Sequence, residues 1–164
     1  MLDDGTHTLT EISQFWAQGH AFLWLLGEAI FHFLPVGVCW SAVKKMGGSE
    51  ILGIVLGITL VSPQLMNAYG IGQQTPEVWD FGLFVIQKVG YQAQVIPALL
   101  AGVFLAWVET SLKRIIPAYL YLVIVPFISL LLAVIVAHAL IGPFGRWIGD
   151  GVGFAAKAAM TGSF

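Results

Sequence analysis

Four long apolar runs, separated by short polar breaks, set the organisation of the chain. The first covers roughly 15–43 and is interrupted by Pro35; the others cover 51–69, 93–112 and 118–142. Crossing about 30 Å of hydrocarbon at 1.5 Å per residue takes about 20 helical residues. The third and fourth runs meet that length directly. The first exceeds it, which suits a tilted or proline-kinked helix. The second is marginal because Pro63 lies inside it. Its last turn is expected to be irregular and to line a cavity, since non-helical backbone at membrane depth needs polar surroundings. After Pro143 the pattern changes: Phe144, Trp147, Ile148, Val152 and Ala155 recur at helical spacing, with Arg146, Asp150 and Lys157 on the other face. That predicts a helix lying in the interface plane. Gly145, Gly149, Gly151 and Gly153 weaken it as an isolated helix, which leaves a loose surface connection as the alternative. The expected fold is an all-α integral membrane helical bundle of about four transmembrane helices with a C-terminal interfacial amphipathic helix. Its parts are an extracytoplasmic tail over 1–14, a transmembrane portion over 15–142, and the interfacial helix or connection over 143–164.

Composition strengthens the membrane reading. Of 164 residues, 58% are hydrophobic and 10% are charged, with a mean hydropathy of +0.86. A soluble domain carries about 25% charged residues to face water; here lipid must cover much of the exterior. The net charge of −2 gives no reason to expect nucleic acid. Loop charges then predict orientation. Lys44 and Lys45 separate the first two runs, and Lys113 and Arg114 the last two. The N-terminal tail carries Asp3, Asp4 and Glu11, while 70–92 carries Glu77, Asp80 and Lys88. Basic residues at alternate loops predict both basic turns in the cytoplasm and both chain ends outside.

Polar residues inside spans are costly and so are candidates for chemistry. Glu28 and His32, four apart, share one helix face with His20 and Trp24. They can flank a sugar or a water-filled path, or equally form a buried pair that fixes helix packing. Gln64 and Asn67 sit three apart beside Pro63, with Gln92 and Gln94 across the following loop. Amides both donate and accept, which suits a sugar's hydroxyls and also suits backbone groups that Pro63 frees. The candidates for substrate contact are therefore Glu28, His32, Gln64, Asn67 and Gln94. His138 is expected to be packed or interfacial, and Glu109 to form a helix-surface ion pair with Lys113. Two ridges of small residues, Ser49–Gly53–Gly57 and Ala98–Gly102–Ala106, permit close helix approach within the chain or between copies. Cys39 is the only cysteine, so neither a disulfide nor a multi-cysteine metal site is expected. No Walker loop, zinc-protease helix or G-x-S-x-G elbow occurs. No catalytic residue, metal or cofactor is assigned.

The stretches at 22–31 (FLWLLGEAIF), 34–48 (LPVGVCWSAVKKMGG) and 52–57 (LGIVLG) resemble the membrane (IIC) domain of phosphotransferase permeases in the glucose superfamily. Those at 61–69 (VSPQLMNAY), 89–97 (VGYQAQVIP) and 141–145 (IGPFG) are similar to its trehalose branch. The resemblance implies import of trehalose or a related disaccharide, coupled to phosphorylation from phosphoenolpyruvate. It further implies a IIB domain as phosphoryl donor, a second half of the IIC domain as partner, and a homodimer surrounded by membrane lipid. The family's principal sugar-binding Glu and His belong to that second half, beyond Phe164, so no role of theirs passes to Glu28. Nor does the IIB phosphocysteine role pass to Cys39, which lies between Val38 and Trp40 in an apolar run. This portion is implied to be the static, dimer-forming half. The rival readings are a membrane scaffold without transport activity of its own and a small-solute channel, against which the lack of a charged pore ring counts.

Overall fold

The computed structural model describes residues 13–71, 75–82, 85–145, 147 and 151. The chain forms two compact units, 1–32 and 33–164. In the first, helix α1 spans Gln14–His32, and none of its residues is buried. The expected tail over 1–14 falls almost wholly outside the described residues.

The second unit holds four helices: α2 (Leu34–Lys45), α3 (Glu50–Leu60), α4 (Val95–Ile115) and α5 (Tyr121–Val136). Pro35 explains why α2 begins where it does. Proline has no N–H to donate to the carbonyl four residues back, so it is tolerated in the first turn and not deeper. At its other end α2 stops on Gly47, whose φ is +74°. The Gly47 and Gly48 amides donate to the Lys44 and Val43 carbonyls, a Schellman closure that requires a left-handed residue. Lys44 and Lys45 in that last turn also complement the helix dipole.

Three described stretches are long and apolar enough to cross a membrane: Gln14–Lys45 (broken at Phe33), Val95–Ile115 and Tyr121–Gly145. The second apolar run behaves differently. Its helix α3 has 11 residues, roughly 16 Å, and cannot span the layer alone. It ends three residues before Pro63, and the chain then continues irregularly to a 3-10 turn at Ala68–Gly70. The irregular last turn expected from Pro63 is present.

The 70–92 segment, read from sequence as a loop, contains a two-stranded hairpin. Strand β1 (Val78–Asp80) pairs antiparallel with β2 (Val85–Gln87), Trp79 opposite Ile86. Asp80 Oδ1 accepts from the Gly82 amide at 2.8 Å, and Gly82 has φ +77°. Such an Asx turn needs partners adjacent in sequence, but the strands show no long apolar alternation, which is why their pattern was silent. After α5 the helix widens into a π-turn at Ala137–Ile141. Gly142–Gly145, Trp147 and Gly151 are helical; most of the expected interfacial helix over 143–164 lies outside the described residues.

Both small-residue ridges are used within the chain, and both face α2. A Cβ on Gly53 would stand 2.9 Å from the Cys39 carbonyl oxygen, and one on Gly57 would stand 2.4 Å from Val36 Cα. On α4, a Cβ at Gly102 would meet Cys39 Cα at 3.2 Å, while the Cys39 thiol donates to the Ala98 carbonyl at 3.1 Å. Lipid is as apolar as leucine, so helices in it associate through such close van der Waals contact. Leu56, Leu60, Leu105 and Tyr91 fill the remaining core.

Candidate functional site

The helices of the second unit run up and down, which gives it two distinct ends. At one end lie both basic turns. Glu109 on α4, expected as a surface ion pair, is instead 1% exposed. Its carboxylate meets Lys113 Nζ at 2.7 Å and accepts from the Ser49 amide at 2.8 Å. Ser49 is the N-cap of α3 and supplies no capping bond from its own side chain. A carboxylate sixty residues away therefore satisfies one free amide at the positive end of that helix. Gly48 makes room for it: a Cβ there would lie 2.9 Å from Glu109 Oε2. Nearby, Glu50 accepts from Trp40 Nε1 at 2.7 Å and pairs with Lys44 at 3.3 Å.

The other end carries the 61–71 segment, the hairpin and the π-turn. Irregular backbone is satisfied there by long-range bonds, as lipid depth demands. The Tyr91 amide donates to the Leu60 carbonyl, Met66 donates to Lys88, and Gly90 donates to Met66. Gln92, 3% exposed, accepts from the Ala68 amide at 2.9 Å. The Tyr91 hydroxyl, buried, donates to the Ala137 carbonyl at 2.9 Å, a group set by the π-turn.

The candidate residues fall in separate places. Glu28 and His32 stand 3.8 Å apart along α1. Asn67 Oδ1 accepts from the Tyr69 amide at 3.1 Å and so caps the 3-10 turn. Gln94 opens α4 at its N-cap, without a side-chain cap bond. Gln64 is exposed and lines a cleft of about 340 Å³ together with Thr75, Glu77 and Lys88. Glu77 and Lys88 pair across it at 2.9 Å. The Lys88 ammonium holds the exposed Glu77 carboxyl below its usual value, first by hydrogen bonding and then by charge. Lys88 also lies 5.7 Å from the centre of the Trp79 ring. Sequence reasoning missed this pair; two opposite charges eleven apart around Asp80 and Gly82 were the available signal.

His138 is packed, as expected. Its Nδ1 lies 3.0 Å from the Val134 carbonyl oxygen, and its ring meets Tyr91 and Trp79 edge-on at 5.3 and 5.9 Å. Among the described residues no group of three His, Cys, Asp or Glu could hold a metal.

Comparison with known proteins places this arrangement. The profile described as "Phosphotransferase system, EIIC" matches residues 3–162. The trehalose-specific EIIBC component of the PTS system from Escherichia coli (strain K12) is 77% identical over 143 residues, covering 87% of this chain and 30% of that protein. The trehalose-specific EIIBC component of Bacillus subtilis (strain 168) is 41% identical over 88% of this chain and 32% of its own length. A sucrose-specific EIIBC component from Klebsiella pneumoniae is 38% identical over 79% and 28%. No solved structure matches the chain. The chain spans about a third of the length of these curated relatives. With its long apolar helices it is a multi-pass membrane protein, and it belongs to the phosphotransferase system EIIC family.

Proposed function

We propose that this chain is part of a permease that imports trehalose and phosphorylates it at the expense of phosphoenolpyruvate. The observation that carries the reading is the 77% identity to a protein named as trehalose-specific, extending over 87% of the chain. The sucrose-specific relative at 38% marks the distance at which the named sugar changes. In this reading the chain is the static half. A further IIC portion closes around the sugar, a IIB domain donates the phosphoryl group, and the assembly is a dimer in the bacterial inner membrane. Both glycine ridges are engaged with α2, so a dimer would form through other faces. Phosphoryl transfer needs a positioned donor and groups that stabilise the transferring charge. The buried Cys39, bonded to the Ala98 carbonyl, is not such a donor. Gln64, Asn67 and Gln94 would line one wall of the sugar path at most, whereas Glu28 and His32 belong to the separate first unit.

The test is reconstitution in liposomes with phosphoenolpyruvate and the soluble phosphotransferase components, following labelled trehalose and sucrose. Trehalose phosphate should accumulate only when the second IIC portion and the IIB domain are added. Accumulation with this chain alone would overturn the half-domain reading, and a preference for sucrose would overturn the substrate.

A further inference from the structure

At the hairpin end lies a second cleft of about 510 Å³, between the two strands and the π-turn that follows α5. Its size falls within the roughly 300–1,000 Å³ of small-molecule sites. Gln87, His138, Pro143 and Trp147 are among the residues that line it. Trp147 is 72% exposed and has Phe144 stacked against it, centroids 6.2 Å apart at 29°. The indole thus offers a flat face backed by a second ring, where the C–H face of a pyranose can lie. Gln87 brings an amide that both donates and accepts. His138 is held by the Val134 carbonyl beside Nδ1 and by the Tyr91 and Trp79 rings. Among the described residues the lining carries no carboxylate, lysine or arginine, which suits a neutral polyhydroxylated ligand over an anion. Beneath it runs the π-turn, a form that recurs at functional sites because it reorients a side chain out of helical register.

We propose that this cleft is a capture site for a neutral sugar, taking one glucosyl ring of the disaccharide on the face opposite the basic turns. The proposal rests on the disaccharide-permease reading above. The ring stacks on Trp147 while its hydroxyls meet Gln87. The site touches sugar before the second IIC portion closes, so this chain binds weakly by itself.

The chain is purified into lipid nanodiscs, free of glycoside detergents whose headgroups would compete. Trehalose is titrated by saturation-transfer NMR and tryptophan fluorescence. Saturable binding in the millimolar range is expected. Gln87→Ala and Trp147→Ala should each weaken it about fivefold or more, the scale of one lost polar or stacking contact, and Trp147→Phe should restore most of the loss. Tyr119→Ala removes an 82% exposed aromatic from the other end and should change nothing. Variants are compared only where melting temperatures stay within a few degrees of wild type, and Gln87→Ala, on an exposed strand position, carries the comparison if Trp147→Ala fails to fold. Absence of saturable binding overturns the inference. So does unchanged affinity in both variants, including a Trp147→Ala chain that merely inserts or melts differently, which would make the indole an interfacial anchor. Failure here is separable from failure of the permease reading. A completed permease that transports trehalose while the isolated chain fails to bind it sinks only the capture site. A completed permease that transports another disaccharide moves the titration to that sugar, under the same criteria.

Discussion

At the basic end, the helices are joined by a buried carboxylate: Glu109 reaches Lys113 and the Ser49 amide together. At the hairpin end they are joined by neutral groups, the Tyr91 hydroxyl on Ala137 and the Gln92 amide on Ala68. The difference follows from what each end must satisfy. Glu109 answers a helix N-terminus, which favours negative charge. Tyr91 and Gln92 answer single backbone groups of irregular chain, where a neutral partner avoids the cost of a desolvated ion. One end is therefore strong and intolerant of losing a partner, the other weaker and spread over several bonds.

The sharpest way to break this comparison is to ask which end faces which side. In a Cys39→Ala background, Lys45→Cys should resist a membrane-impermeant thiol reagent added outside, and Glu77→Cys should react. The contrast should be all or none; labelling of position 45 but not 77 reverses the orientation. Next, Lys113→Ala leaves Glu109 buried with one amide as its partner. We expect a loss of about 3–5 kcal/mol, the range for breaking a buried pair, with much of it recovered in Glu109→Gln/Lys113→Ala. Thermal unfolding in mild detergent reads both, and a double variant no better than Lys113→Ala would show that charge is not what matters there. Tyr91→Phe removes one neutral hydrogen bond and should cost about 1 kcal/mol in the same assay. A loss equal to that of Lys113→Ala would erase the distinction between the ends.

The smallest effect is the pH response of the exposed Glu77–Lys88 pair. Glu77's folded value is depressed, so the pair's contribution is full above the unfolded value near 4.5 and is lost as pH falls through the lower folded value. The melting difference between wild type and Glu77→Gln should stay flat from neutral pH to about 5, then shrink toward zero in more acid solution. Lys88→Met should abolish that shrinkage, and a difference that grew on acidification would contradict the pairing.

The sequence was readable wherever a feature is local. Run lengths, the two basic turns, the break at Pro63 and the small-residue ridges all appear within a few positions of one another, and each has its counterpart in the structure. Glu109 was misplaced to the surface because its second partner, Ser49, lies sixty positions away, and only folding brings them together. Gln92 and Gln94 could not be told apart by type; the fold buries one against Ala68 and leaves the other at the start of α4. Gln64 was selected for its amide, but its neighbours Thr75, Glu77 and Lys88 come from the far side of an unforeseen hairpin. Run lengths and breaks are written along the chain, whereas a site is written in pairings across it.

The π-turn at Ala137–Ile141 also has a consequence for helical phase. Each residue of an α-helix advances about 100° around its axis, so one extra residue in a turn rotates everything beyond it by that amount. The residues before 137 and those after 141 therefore keep different angular origins on what is otherwise one helix. This offset brings Gly142 against the Tyr91 hydroxyl, where a Cβ would stand 2.0 Å away. Deleting Ala139 would return the segment to α-helical phase and swing Gly142, Pro143 and Phe144 about a quarter turn away from the hairpin. The single surplus residue thus acts as a rotational index between two otherwise ordinary stretches of helix.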